Sequence, residues 1–484
     1  MVEEQRYWVP ESVRECLKGL GFRLPLEEME PHIRAWDDWM RAKGSFYDYR
    51  DTDSYGRVYE VHRRSIMPAM RVCREWGSLL LNEKTVVSCE DQGCTDFLSS
   101  YFEQTRFMPR AQDTVSRAFG LGTGAFAIWL DLGRDQVKVR HYDARMVVPL
   151  TWDAEGVSEC AFVTRAYYHG KPIDQLQMHL RGETVFSLGE GNAYGKDDGI
   201  LAHDPLEEDT YWIITKCFDE QGNEVIPAGV VPVCDTGSVW STFSIVRPAV
   251  PNTRVDMSPY GQSVFADAVD AIQSVDLAFD ALVNEVDVSK MRVFLSDVLF
   301  DYDTDDGKSY PIPFGKGDCT IFRKVMSTED MITQFAPSLR TESQAEALRI
   351  ALQVMGDLCG FGLRYFDFDE GSGYVKTATE VSSDNSALMR NVRKHENQLQ
   401  SSLVTISRAV LACSRTFGKA LADEGDVDVK FDDSIVQDTA AEKDQDMREV
   451  GVTMQPWEYR MKWYGEDEDT ARERSEGLGT SEGD

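Results

Sequence analysis

Apolar residues recur every three or four positions in several stretches of the chain, and this spacing predicts helices. Residues 1–45 read as helical with polar breaks, with Trp36 and Trp39 on one face. Ile66, Met70, Cys73, Trp76 and Leu80 mark an amphipathic helix within 62–84. Residues 95–119, with Phe97, Tyr101 and Phe102, predict another. From about 122 to 250 the pattern changes to short strand-like runs: AFAIWLDL, QVKVRHYD, ECAFVTRAYY, TVFSLG and DTYWIITKCF. Turn signals such as DAEG and EQGN separate them.

Helical spacing then returns. Phe265, Ala268, Ile272, Val275, Phe279, Leu282 and Val286 predict a helix over 258–286, with Ser258 as N-cap and Pro259 at its first position. Short strands, MRVFLS and CTIFRKV, flank a polar loop within 290–336. A second helix spans 341–360, with Thr341 or Ser338 as its cap. Gly360-Phe361-Gly362 follows as a C-cap needing positive φ. Thr377-x-x-Glu380 reads as a capping box opening a helix over 378–421. Val381, Leu388, Val392, Leu399, Leu403, Ile406 and Val410 line one face of that helix, which would span about 60 Å. Such a length suits a spoke in an assembly better than an enzyme core. The tail, 440–484, is charged apart from one aromatic piece. No internal repeat is visible.

Length and charge narrow the reading. A chain of 484 residues predicts two to four domains. The net charge of −32 excludes a globally basic nucleic-acid binder. A protein this acidic that meets DNA lets it slide; the plainer consequence of such charge is solubility. The ten cysteines include no C-x-x-C pair, which argues against zinc or a disulfide framework and fits a reducing cytoplasm. No run of 18 apolar residues and no signal-like N-terminus occur, so no membrane association is expected.

Candidate chemistry is sparse. Gly120-Leu-Gly-Thr-Gly resembles part of a dinucleotide fingerprint, but a helix precedes it and a strand follows, the reverse of what the fingerprint needs. A helix-to-strand turn is the better reading. No P-loop, H-E-x-x-H or G-x-S-x-G segment is present. DYDTDDG at 301–307 is a partial calcium-loop match, lacking Gly at its sixth position and Glu at its twelfth; a solvated acidic loop is the default. No cofactor is expected, and the chain reads as a non-enzyme. One stretch departs from an ordinary solvated face: between Arg254 and Lys290 no basic residue occurs, whereas surface helices usually mix signs. Asp267, Asp270, Asp276 and Asp280 would form an acidic wall that keeps a polyanion from sticking.

Five segments, in order, resemble the portal protein family of long-tailed phages of Gram-positive hosts. They are RVCREWGSLLLNEK (71–84), FGLGTGAFAIWLD followed by HYDARMVVPLTWDAEGVSECAFV, SPYGQSVFADAVDAIQSVDLAFDALVNEV, TATEVSSDNSALMRNVRKHEN (377–397) and MQPWEYRMKWYGEDEDTA (454–471). The resemblance implies an α+β portal fold of wing, stem, clip and crown. Mapped onto this chain, the wing is 1–257 with a β-rich part at 122–250, and the stem helices are 258–289 and 338–360. The clip is 290–337, the tunnel loop 361–377, the long wing helix 378–421, and the crown and tail 422–484. It further implies a dodecameric ring at one capsid vertex of the virion, made in the bacterial host cytoplasm, through which double-stranded DNA is packaged and ejected. The implied partners are terminase, the head–tail connector or adaptor, scaffold, the major capsid protein and the passing DNA.

Within that frame the clip's docking residues would be Lys290, Arg292, Lys308, Lys316, Arg323 and Lys324. The tunnel loop would present Tyr365, Phe366, Asp367, Phe368, Asp369, Glu370, Ser372 and Lys376 to DNA, with the aromatics anchoring its base. The competing readings are a minor head or capsid protein and an acidic multidomain hydrolase.

Overall fold

The computed structural model describes residues 8–52, 56–82, 84–131, 136–168, 170–188, 210–227, 230–288, 292–296, 302–305, 308–311, 321–324, 332–335, 338, 340–366, 378–431, 443, 446–451, 453–466 and 468–476. The fold is α+β. It opens with α1 (Glu11–Gly19) and α2 (Leu26–Met40), a hairpin of β1 (Asp48–Thr52) and β2 (Val58–His62), then α3 (Pro68–Leu80) and β3 (Val86–Cys89). Two helices follow, α4 (Gln92–Thr105) and α5 (Phe107–Leu121), where the periodicity predicted one. Arg106 adopts φ 51° between them. Pro109 explains the break: its nitrogen cannot donate back to Thr105, so it fits only in the first turn of a new helix.

The β-rich block contains β4 (Gly124–Asp131), β5 (Gln136–Asp143), β6 (Val147–Trp152), β7 (Val157–Tyr168), β8 (Lys171–Arg181), β9 (Tyr211–Phe218), β10 (Glu224–Val225), β11 (Val233–Asp235) and β12 (Phe243–Val246). Strands order as β10-β9-β8-β7-β6, with β11 also on β9, and separately as β12-β4-β5. Tyr142, Phe162 and Phe243 fill the space between the sheets. Two expectations fail here. TVFSLG lies largely in a short helix, α6 (Gly182–Ser187), and β8 was not anticipated. Strand β8 buries Gln175, Gln177 and His179, so its inward face carries no apolar alternation to read. The DAEG and EQGN turns are present: Asp153 Oδ1 accepts from the backbone of Glu155 and Gly156, and Asp219 Oδ1 from Gln221 and Asn223.

The helix expected over 258–286 is α7 (Val269–Val288), which starts eleven residues late. Residues 260–266 are held instead on the α5–β4 turn. Val264 N–H donates to Phe119 O at 3.0 Å and Gly261 N–H to Thr123 Oγ1 at 3.0 Å. Gly122, which caps α5 at φ +82°, and Gly261 meet backbone to backbone; a Cβ on Gly122 would lie 2.5 Å from Gly261 O. The glycine-rich stretch is therefore a helix-to-strand turn.

Beyond α7, β13 (Arg292–Ser296), β16 (Ile321–Lys324) and β17 (Ile332–Phe335) form one small sheet, and β14 (Tyr302–Asp305) with β15 (Lys308–Pro311) a hairpin. Then come α8 (Thr341–Leu358), α9 (Ala378–Thr416), β18 (Val427–Lys430), which pairs with β3, α10 (Pro456–Tyr464) and α11 (Glu468–Glu476). Neither proposed cap of α8 operates: its N-cap is Arg340, with no side-chain bond. Thr377 lies outside the described residues. Helix α9 buries Leu388, Val392, Leu399, Leu403, Ile406 and Val410 and packs across β12, β4, β5 and β18. All nine cysteines among the described residues are free.

Candidate channel and docking elements

Helices α7 and α8 pack along one another. Ala271, Ile272 and Val275 bury the first half of α7, which also meets α3. Near the other end, Glu285 accepts from the Arg340 guanidinium at 2.8 and 3.1 Å, and this pairing holds the Glu285 carboxyl below the usual range. Outward from the pair, α8 carries Ile350, Val354 and Leu358 at i, i+4 and i+8, each about half-exposed; Leu277 of α7 is similarly exposed. A continuous apolar stripe on a helix is unusual on a solvated surface.

The four acidic residues do not form one wall. Asp276 is fully buried. Its Oδ2 accepts from Tyr47 Oη and Ser65 Oγ, both at 2.7 Å, and its Oδ1 from Ile66 N–H at 3.0 Å. Burial raises its pKa despite these bonds. Asp276 is thus an internal clamp joining α7 to the segment before α3, and cannot face a channel. Asp267 lies before α7 and accepts from Arg254 and Gln262, both at 2.8 Å. Asp270 is exposed and Asp280 half-buried on α7.

The end of α8 is firmly terminated. Gly360 adopts φ +91°; its N–H bonds Asp357 O at 3.1 Å, and Phe361 N–H bonds Gly356 O at 2.8 Å, the Schellman pattern. The turn that follows is clamped from two sides. Trp76 Nε1 of α3 donates to Cys359 O at 3.1 Å, and Asn391 Nδ2 of α9 donates to Gly360 O at 2.8 Å. Trp76 packs on Phe361 and edge-on to His395, each at 4.6 Å between centroids, while His395 Nδ1 accepts from Ala249 N–H at 3.0 Å. Sequence reading left His395 as a surface or packing residue; it packs, and burial lowers its pKa to about 4.

Of the loop residues singled out, Phe366 is buried against Phe361 and Gly356, and Tyr365 is half-buried, its hydroxyl donating to Glu75 Oε2 at 3.0 Å. Asp367, Phe368, Asp369, Glu370, Ser372 and Lys376 lie outside the described residues. So do Lys290 and Lys316. The backbone places Arg292 on β13 opposite Phe335, Lys308 on β15 opposite Asp305, and Arg323 and Lys324 on β16 opposite Leu295 and Ser296. The partial calcium match falls on the β14–β15 hairpin: Asp305 pairs with Lys308, leaving Asp306-Gly307 as the two-residue connection. Strand pairing there replaces the ligand loop that calcium requires.

Residues 72–476 match the model of the family described as phage portal protein, SPP1 Gp6-like. No curated protein matches the chain. Among solved structures it is similar to a chain in the neck of an empty gene transfer agent particle, at 11% identity and TM-score 0.42, covering 88% of this chain and 92% of that one. A chain in the neck of the native particle gives 11% identity and TM-score 0.38, covering 81% and 89%.

Proposed function

The chain belongs to the SPP1 Gp6-like phage portal protein family, a structural and not an enzymatic family, and from that we propose that it forms the ring at one capsid vertex through which double-stranded DNA is packaged and ejected. The ring is a dodecamer in a phage of a Gram-positive host. Helices α7 and α8 are its stem, 290–337 its clip and 361–377 its tunnel loop. Residues 1–257, with part of α9, are its wing, and 422–484 its crown. Terminase docks on the clip during packaging and the head–tail connector afterwards, with Arg292, Lys308, Arg323 and Lys324 among the contacts. Scaffold and major capsid protein meet the outer body.

Beside family membership, the single observation that carries this reading is the uncovered apolar stripe Ile350, Val354 and Leu358 on α8. It has the spacing that a helix from a neighbouring subunit fills. Native mass spectrometry of the purified chain tests it: a closed ring is expected, and monomer alone across varied salt would overturn it. A minor head protein or an acidic hydrolase would also give small particles. After removal of Asp276, the acidic lining reduces to Asp270 and Asp280 with Asp267 above them.

A further inference from the structure

The β1–β2 ribbon is firmly rooted and uncovered. None of its ten strand residues is buried, and among the described residues neither outer edge pairs with another strand. One face carries Tyr49 opposite Val61 and Asp51 opposite Tyr59; the other carries Asp48 opposite His62, Arg50 opposite Glu60 and Thr52 opposite Val58. Val58 and Tyr59 are 64% and 48% exposed. A two-stranded ribbon without a core beneath it is marginal in water.

Its root is a different matter. Arg63 N–H bonds Tyr47 O at 2.8 Å, and the Arg63 guanidinium lies 4.3 Å over the Phe46 ring. Tyr47, Ser65 and Ile66 all converge on the buried carboxylate of Asp276. Arg64 Nη1 reaches Asn284 Oδ1 at 3.2 Å further along α7. The stem helix therefore aims the ribbon while leaving its body open. The charge of this region also runs against the chain: residues 41–74 hold eight Lys and Arg against four Asp and Glu, where the whole chain is −32.

We propose that the ribbon 48–62 is an arm that lies on a second copy of this chain in the ring, seating Val58 and Tyr59 against that copy, with the basic surplus of 41–74 drawn to its acidic surface. The inference rests on the ring reading above. Protein is favoured over DNA as the occupant because the exposed positions here are apolar, Arg50 is already opposite Glu60 at 3.7 Å, and Arg63 is spent on an aromatic ring. A DNA contact would present cations to phosphates.

The test places p-benzoylphenylalanine at position 58 of the full chain and irradiates the assembled protein. A cross-link from position 58 to a peptide of another copy is expected. In parallel, Val58→Ser with Tyr59→Ser should raise the concentration needed for assembly at least tenfold, with thermal unfolding of the subunit unchanged. If the double variant unfolds early, the cross-link decides. Rings that form without an intermolecular cross-link at position 58, or that assemble normally as the double variant, overturn the arm alone; so does a cross-link to added DNA instead of protein. A wild-type chain that forms no ring removes the ring reading and the arm with it.

Discussion

Trp76 and Cys359 are joined by an indole N–H donated to a main-chain carbonyl at 3.1 Å, and the bond ties α3 to the last turn of α8. Because Trp76 is fully buried and also packs on Phe361 and His395, two losses combine when it is cut back. Trp76→Ala should destabilise the subunit by about 3–5 kcal/mol. Trp76→Phe keeps most of the packing but strands the carbonyl, and should cost about 1–3 kcal/mol. Urea unfolding of the isolated subunit measures both. Equal stability of Trp76→Phe and wild type would show that the bond adds nothing.

Gly360 and Gly362 both have positive φ, +91° and +85°, but differ in surroundings. A Cβ on Gly360 would sit 3.2 Å from both Trp76 Cζ2 and Asn391 Nδ2, whereas one on Gly362 meets nothing within 4 Å. Gly362→Ala should cost about 1 kcal/mol from backbone strain alone, and Gly360→Ala clearly more. The reverse order, in the same unfolding experiment, would contradict the clamp around the α8 terminus.

Three buried histidines set the response to acid. Burial lowers His395 to about 4, His179 to about 3 and, with help from Arg110, His141 to about 4. Groups depressed in the folded state contribute stability above the unfolded value near 6.5, and that stability is lost as pH falls toward the folded values. Each histidine should remove about 1.4 kcal/mol per pH unit in that window. Asp276, raised by burial, acts oppositely: its contribution is present at low pH and lost as pH rises through its folded value. Urea midpoints between pH 7.5 and 5 should therefore fall, and His395→Asn should flatten the slope by about one proton. A flat wild-type profile would exclude neutral burial of these rings.

Asp270 and Asp280 are the remaining acidic candidates on α7. Replacing both by Lys should make assembled rings retain double-stranded DNA at low salt and release it as salt rises. Asp276→Lys should instead unfold the subunit, since it would put an ammonium against three donors. DNA retention by the Asp270→Lys, Asp280→Lys rings equal to wild type would remove the acidic lining.

Much of this architecture can be read along the chain where packing follows a simple period. The α9 stripe from Leu388 to Val410 is buried as its spacing predicts, and the C-cap at Gly360 follows from residue type alone. Reading fails where a polar side chain occupies an inward position. Asp276 falls in the apolar phase of α7, four residues after Ile272 and three before Phe279, so its placement carried the signal of a clamp that its charge concealed. In β8, Gln177 is inside because its amide donates to Ile128 O at 3.1 Å, a partner no local pattern supplies. The start of α7 was misjudged for a similar reason: Tyr260, Gln262 and Ser263 are buried by contacts with the α5–β4 turn and Thr253, far away or outside the helical repeat.

The meeting of Gly122 with Gly261 has a mechanical meaning. Most joints between distant segments run through side chains, which yield by changing rotamer. Here main chain rests on main chain, bonded on either side by Val264 to Phe119 and Gly261 to Thr123. A push along α7 would reach the β4 sheet with little give, so the two would travel as one stiff lever when force acts on either.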